Sequence, residues 1–261
     1  MRFACVGDNC IDIYQNKNTW YCGGNPVNVS VYVVRSGDAA SYIGAVGTDN
    51  YGQFMLDSLT AHGVDVSHVK TLPGETAKTL INLVDGERVF CGYTEGVLAD
   101  FRLTDDDMDY IAAHDIMVSS HWGNIHSQLP QIRARGVPIA FDFATKLGDD
   151  VFESAVDYVD YAFFSSDQDS PSTRDSLRSI YNRGVKLAVC TLGEHGSLVF
   201  DGAEFTHFGI VPCQVKDTMG AGDSYIAGFL RGILRHLPLE ECMRTGAECS
   251  SITLQNFGAW G

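Results

Sequence analysis

Apolar residues along the chain fall into short runs closed by glycine, asparagine or aspartate. Residues 2–7 form such a run ending at Gly7, the pattern of a buried strand. Over 11–21, Tyr14, Trp20 and Tyr21 stand among polar residues, which reads as a strand or loop leaving the main sheet. The pair Gly23-Gly24 leads into a helix that runs to Arg35. A strand follows over 39–46, then helix-period Phe54, Met55 and Leu59, ending near His62-Gly63. Residues 63–66 lead into a strand through Val69. Alternating runs over 77–84 and 88–93 flank Asp85-Gly86-Glu87, a hairpin signal. Thr104 followed by Asp105, Asp106 and Asp107 is a capping-box-like helix start, so that acidic run is assigned to structure rather than to metal.

From residue 115 onward strands and helices alternate. Strands are expected over 115–119, 138–143, 161–165 and 187–191, with helices near 128–135, 151–156 and 174–183. That spacing predicts an α/β fold with a parallel sheet and helices on both faces. A strand over 198–200 turns at Asp201-Gly202 into a second hairpin, and a final helix covers roughly 239–254. No repeat, low-complexity segment or linker interrupts the chain, so 1–261 reads as one domain.

Composition narrows the function. Hydrophobic residues at 45% and charged residues at 20% are ordinary for a soluble globular protein. A net charge of -15 argues against a nucleic-acid partner. It also repels nucleotide phosphate at long range, so a nucleotide site would need Mg²⁺ and local positive dipoles. No apolar run reaches the length of a membrane span, and the N-terminus turns polar too early for a secretory signal. Eight cysteines are scattered without Cys-x-x-Cys pairs or zinc spacing, which reads as free thiols in a reducing cytoplasm.

The stretch with the most chemistry is Asp217-Thr218-Met219-Gly220-Ala221-Gly222-Asp223-Ser224. Gly220, Ala221 and Gly222 let backbone approach a ligand closely, and the apolar run after Ser224 makes this the start of a buried helix. Free N–H groups and the positive dipole end there bind phosphate, and Asp223 is placed to take a proton from an attacking hydroxyl. The plainer alternative is a glycine-rich turn with Asp223 as a helix cap. Asp8, Asn9 and Asp12 follow the first strand, where open α/β sheets hold ligands. Asn28 is a poor helix former on an apolar helix; it either serves a site or faces solvent, with Asn25 as a cap. Glu95 and Asp100 either bind a cationic group or are solvated loop charges. His121, Trp122 and Asp142 follow or end strands at the same edge without a specific signal.

The 217–224 string resembles the second signature of the ribokinase (PfkB-type) family of sugar and nucleoside kinases. The resemblance implies a three-layer α/β/α domain with a mostly parallel sheet and a small β lid built from segments near 11–22 and 76–100. It implies Asp223 as catalytic base, with the backbone of Gly220, Ala221 and Gly222 as the anion hole. Asp12, Gly24 and Asn28 match the family's sugar-binding positions, and Glu95 is a further substrate candidate. Thr191, Gly193 and Gly196 resemble the nucleotide turn, with Ala247 leaving room for adenine. Asp217 matches a monovalent-cation position, which would take K⁺. ATP and Mg²⁺ are implied as phosphoryl donor and cofactor, and a homodimer through the lid by analogy. One departure stands out. The family's Asn-x-x-Glu before the nucleotide turn is replaced by Phe164-Ser165-Ser166-Asp167-Gln168-Asp169, leaving Asp167 or Asp169 to act on the Mg²⁺ shell.

Residues 7–14, 23–32, 88–90 with 93–97, 140–143 and 258–260 are similar to the fructoselysine 6-kinases. That likeness implies phosphorylation of the 6-hydroxyl of a fructosamine. The rivals are a kinase of the same fold for fructose, ribose or a nucleoside, and a non-catalytic sugar or nucleotide sensor.

Overall fold

The structure, a computed structural model, describes residues 1–84 and 87–260. Among these, eight strands form the main sheet, in the order β14-β13-β12-β11-β10-β9-β1-β4. Six run parallel: β4 (Ala39–Ile43), β1 (Arg2–Val6), β9 (Ile116–Ser120), β10 (Ile139–Asp142), β11 (Tyr161–Ser165) and β12 (Leu187–Thr191). The antiparallel pair β13 (Ser197–Phe200) and β14 (Phe205–Phe208) closes one edge.

Strand side chains alternate between two cores, which makes three layers. Phe3 and Cys5 of β1 join the core under α1 (Asn25–Arg35), α7 (Ala221–Leu234) and α8 (Leu239–Thr253). Ala4 and Val6 join the opposite core, against α3 (Asp105–Ala112), α4 (Leu129–Ala134), α5 (Asp150–Ala155) and α6 (Pro171–Asn182). Thr104 and Asp107 form the expected reciprocal capping box at α3. A third core, with Val27, Val31, Met55 and Leu59, joins α1 to α2 (Asn50–Ala61).

A separate four-stranded sheet has the order β3-β2-β7-β8, from β2 (Cys10–Tyr14), β3 (Thr19–Gly23), β7 (Lys78–Val84) and β8 (Glu87–Thr94). Strands β7 and β8 pair antiparallel, as the hairpin pattern requires. The Asp85-Gly86 step of the expected turn lies outside the described residues.

Two sequence expectations are corrected. The single strand expected over 39–46 breaks at Gly44, where an added Cβ would lie 2.1 Å from the Tyr42 hydroxyl. Beyond the break, β5 (Ala45–Gly47) pairs with β6 (Lys70–Leu72) in a sheet of two strands. The strand expected to reach Val69 starts only at Lys70, because Asp65 accepts the Ser67 N–H at 2.8 Å and holds the preceding residues in a turn.

The longest helices, α7 and α8, pack glycine to glycine. A Cβ added at Gly228 would stand 2.5 Å from the Thr245 carbonyl oxygen and 2.9 Å from Gly246 Cα. Backbone cannot yield as a side-chain tip can, so Gly228→Val is expected to cost about 3 kcal/mol, measurable by denaturant unfolding. Among the described residues, no helix is long and apolar enough to cross a membrane.

Candidate active site

The order of strands in the main sheet switches sides about β1, with β4 added on one side and β9 on the other. Such a switch point opens a crevice beyond the strand ends. Asp8, just past β1, bridges it: its Oδ1 accepts the Ser120 hydroxyl of β9 at 2.7 Å. Its Oδ2 accepts the backbone N–H of Asn25 at 3.2 Å. That contact needs Gly24, which starts α1 at φ 109°; a Cβ there would stand 2.6 Å from Asn9 Cα.

Asn25 is the hub of the site. Its Nδ2 donates to Asp142 Oδ2 at the end of β10 (2.9 Å) and to Asp223 Oδ1 in the first turn of α7 (2.7 Å). One turn along α1, Asn28 Nδ2 donates to the other Asp223 oxygen at 2.6 Å. Asn28 Oδ1 in turn accepts the Trp260 indole N–H at 2.6 Å. The solvent-facing alternative for Asn28 is therefore wrong, since it is buried and committed at both ends. One of its N–H bonds remains for a ligand hydroxyl.

These carboxylates share a cleft without a cation partner among the described residues. Asp223 is half-buried, yet desolvation still dominates its titration. Burial, then the charges of Asp142 and Asp8, push it up to about 7 against the pull of the Asn28 and Asn25 hydrogen bonds. Asp142 is pushed up to about 6 by burial and the Asp8 charge, opposed by the Ala144 N–H. Burial also raises Asp8 above the usual carboxylate range.

Asp12 points inward from β2 and is buried; the Cys10 thiol lies 3.4 Å from its Oδ1. Gly23 on β3 leaves it room, since a Cβ there would meet Asp12 Oδ2 at 2.5 Å. Tyr93 of β8, on the small sheet, is more than half exposed but within electrostatic reach of the cluster. Its hydroxyl is held protonated by burial and then by the charges of Asp8, Cys10 and Glu95. Glu95 and Asp100 themselves are exposed.

On the other side of Asp223, a cavity of about 640 Å³ opens between α7, α8 and the ends of β11 and β12. Thr191, Gly193, Gly196 and Ala247, the four expected nucleotide positions, all line it, and so do Ala221 and Gly222. Gly220 adopts a left-handed φ of 73° as N-cap of α7. A Cβ added at Gly222 or Gly193 would meet nothing within 4 Å, so open space lies directly over the backbone. Gly222 and Asp223 lie in the first helical turn, where N–H groups lack helical acceptors. Open volume, small residues and first-turn donors fit a nucleotide phosphate chain. Asp223 therefore stands between the Asn25–Asn28 polar cluster and the cavity over the first turn of α7.

Asp167 lines the cavity, whereas Asp169 is taken up by Arg174 through two bonds of 2.7 and 2.6 Å. Of the two replacements for Asn-x-x-Glu, the geometry favours Asp167. Asp217 accepts the N–H groups of Met219 (3.1 Å) and Gly258 (3.0 Å), tying the loop before α7 to the C-terminal segment. His121 stays outside the carboxylate cluster, 3.3 Å from Asp149 and edge-on to Trp122. Sequence reasoning missed Asn25 as hub, Ser120 and the Trp260–Asn28 bond. Only the unusual placement of Asn25 and Asn28 on an apolar helix hinted at them.

A three-layer sheet domain with a small second sheet is the ribokinase-like fold. The same fold occurs in an Arabidopsis thaliana ribokinase solved with ribose and ATP, at a TM-score of 0.88 and 22% identity over 99% of this chain and 94% of that one. The chain belongs to the pfkB family of carbohydrate kinases, whose family model matches residues 3–260. It is 43% identical to a fructoselysine 6-kinase of Shigella flexneri over 98% of both chains. It is 34% identical to a fructosamine kinase of Bacillus subtilis over 100% of this chain and 93% of that one. It is thus a phosphotransferase with an alcohol group as acceptor.

Proposed function

We propose that this enzyme transfers the γ-phosphoryl group of ATP to the 6-hydroxyl of a fructosamine such as fructoselysine, in the cytoplasm. The observation that carries this reading is the 43% identity to a fructoselysine 6-kinase along the length of both chains. Product analysis tests it: phosphorus–proton coupling should connect the new phosphate to the two C6 protons of the sugar. Coupling to any other position overturns the assignment of the 6-hydroxyl.

In this reading Asp12, the Gly24 backbone and the remaining Asn28 N–H hold the sugar. Asp223 accepts the proton of the attacking hydroxyl, while Asn25 and Asn28 fix both its oxygens so that it cannot rotate away. First-turn N–H groups of α7 meet the charge on the transferring group. Asp167 would hold Mg²⁺ through water, and Mg²⁺ when bound supplies charge neutralisation along the phosphates. Asp217 braces the loop before α7 and would hold a monovalent cation such as K⁺ there. The segments near 11–22 and 76–100 act as a lid that excludes water from the transfer. Exposed Trp20, Val89 and Phe90 on that sheet suit pairing with a second copy of the chain, which a solution molar mass would test.

Ala247 gives the nucleotide compartment a direct test. It lines the cavity from α8 with 8% of its surface exposed. Ala247→Phe is expected to raise KM for ATP by at least about tenfold and to change KM for the sugar far less. Equal rises in both would place the nucleotide elsewhere.

A further inference from the structure

The cleft on the sugar side is supplied with acceptors and short of donors. Asp8, Asp142 and Asp223 are linked through the single residue Asn25. The described residues give none of the three an ion pair. Both hydrogens of the Asn25 amide are spent on Asp142 and Asp223, so its orientation is fixed. Its Oδ1 is buried and without a partner, and it stands on the same amide carbon as the nitrogen that binds both carboxylates. Asn25 is only 9% exposed. An orphaned acceptor inside a carboxylate cluster is costly unless a ligand completes it.

The missing group must be cationic and carry N–H donors. A metal ion fits poorly: among the described residues no three His, Cys, Asp or Glu side chains could hold one. A neutral hexose brings donors but no charge. A fructosamine brings both, because a secondary amine on C1 is protonated at neutral pH and sits at a fixed distance from the sugar ring. Asp8 is the carboxylate suited to it. Asp223 is reserved for the 6-hydroxyl, and Asp142 ends β10 toward the nucleotide cavity, which Thr145 three residues on helps to line, whereas Asp8 leads into β2 of the small sheet.

Resting on the fructosamine reading, we propose that Asp8, with Asn25 Oδ1 beside it, is the subsite for the secondary ammonium of the substrate. It sets selectivity for amine-linked over plain sugars. Exposed Glu95 and Asp100 serve at most the outer amino-acid end.

The test compares fructoselysine with its neutral ether isostere, oxygen replacing the C1 nitrogen, by calorimetric titration. The unmodified protein is expected to prefer the amine by about 10- to 100-fold, the range of a charged hydrogen bond. In Asp8→Asn that preference is expected to shrink to about threefold or less. An unchanged preference in Asp8→Asn overturns the assignment, as does equal affinity of the unmodified protein for both ligands. Should Asp8→Asn fail to fold, Glu95→Gln decides: retention of at least about tenfold preference supports Asp8, and its collapse assigns the cation to Glu95. Normal turnover of fructoselysine with equal amine and ether affinity sinks this subsite alone. Absence of turnover on every fructosamine sinks the substrate reading with it.

Discussion

Asp223→Asn is expected to lower turnover by about 10²- to 10⁴-fold with the fold retained, the range for losing a general base. The substitution is nearly isosteric: one of Asn25 and Asn28 keeps a side-chain oxygen to donate to, the other loses its acceptor, and the proton acceptor is gone. Titration of the unmodified enzyme should report the same group. Burial and neighbouring charges push Asp223 up to about 7, so kcat/KM should rise with pH through that region as it becomes ionised. The stability consequence has the opposite sense. A carboxylate whose pKa is raised on folding contributes most stability below its unfolded pKa near 3.8, and loses it as pH rises past about 7. Asp223→Asn should therefore be more stable than the parent at pH 8, by about 1–3 kcal/mol. An inactive but stabilised variant would be the signature of a strained functional group; a variant with parental turnover would remove Asp223 from the role.

Asn25→Ala is expected to lower turnover near pH 7 by about 10- to 100-fold and to recover much of the loss at higher pH. The argument runs through charge. Asn25 Nδ2 stabilises the ionised forms of Asp142 and Asp223 together, at 2.9 and 2.7 Å. Without it each carboxylate loses a charge-assisted hydrogen bond and faces the other with less compensation. Both become harder to ionise, so the acid limb of the pH–rate profile should move up by about one to two pH units. Alanine is a good helix former at the start of α1, so the helix should survive. A profile that superimposes on the parent's would show that Asn25 merely fills space.

Much of the fold was legible because its signals are local. The strands over 161–165 and 187–191 match β11 and β12 residue for residue, since short buried runs bounded by turn residues are unambiguous in an alternating α/β chain. Failures came where side chains override the run. Tyr42 folding back over Gly44 broke one strand, and Asp65 capping Ser67 delayed another. The glycine-rich start of α7 and the small residues at 191–196 announced the cavity they line, because backbone left bare of side chains leaves a mark in composition. The hydrogen-bonded network about Asn25 left almost none. Asp8, Asn25, Asp142, Asp223 and Trp260 are brought together only by the sheet's switch point and the returning C-terminal segment, and no spacing in one dimension encodes that.

The central claim, phosphoryl transfer to a glycated amine, is tested most directly by ADP release from Mg-ATP across fructoselysine, other fructose-amino acids, fructose, ribose and adenosine. Turnover concentrated on the fructose-amino acids is the expected result. Turnover on a plain sugar or on adenosine, with the fructose-amino acids inert, would contradict it.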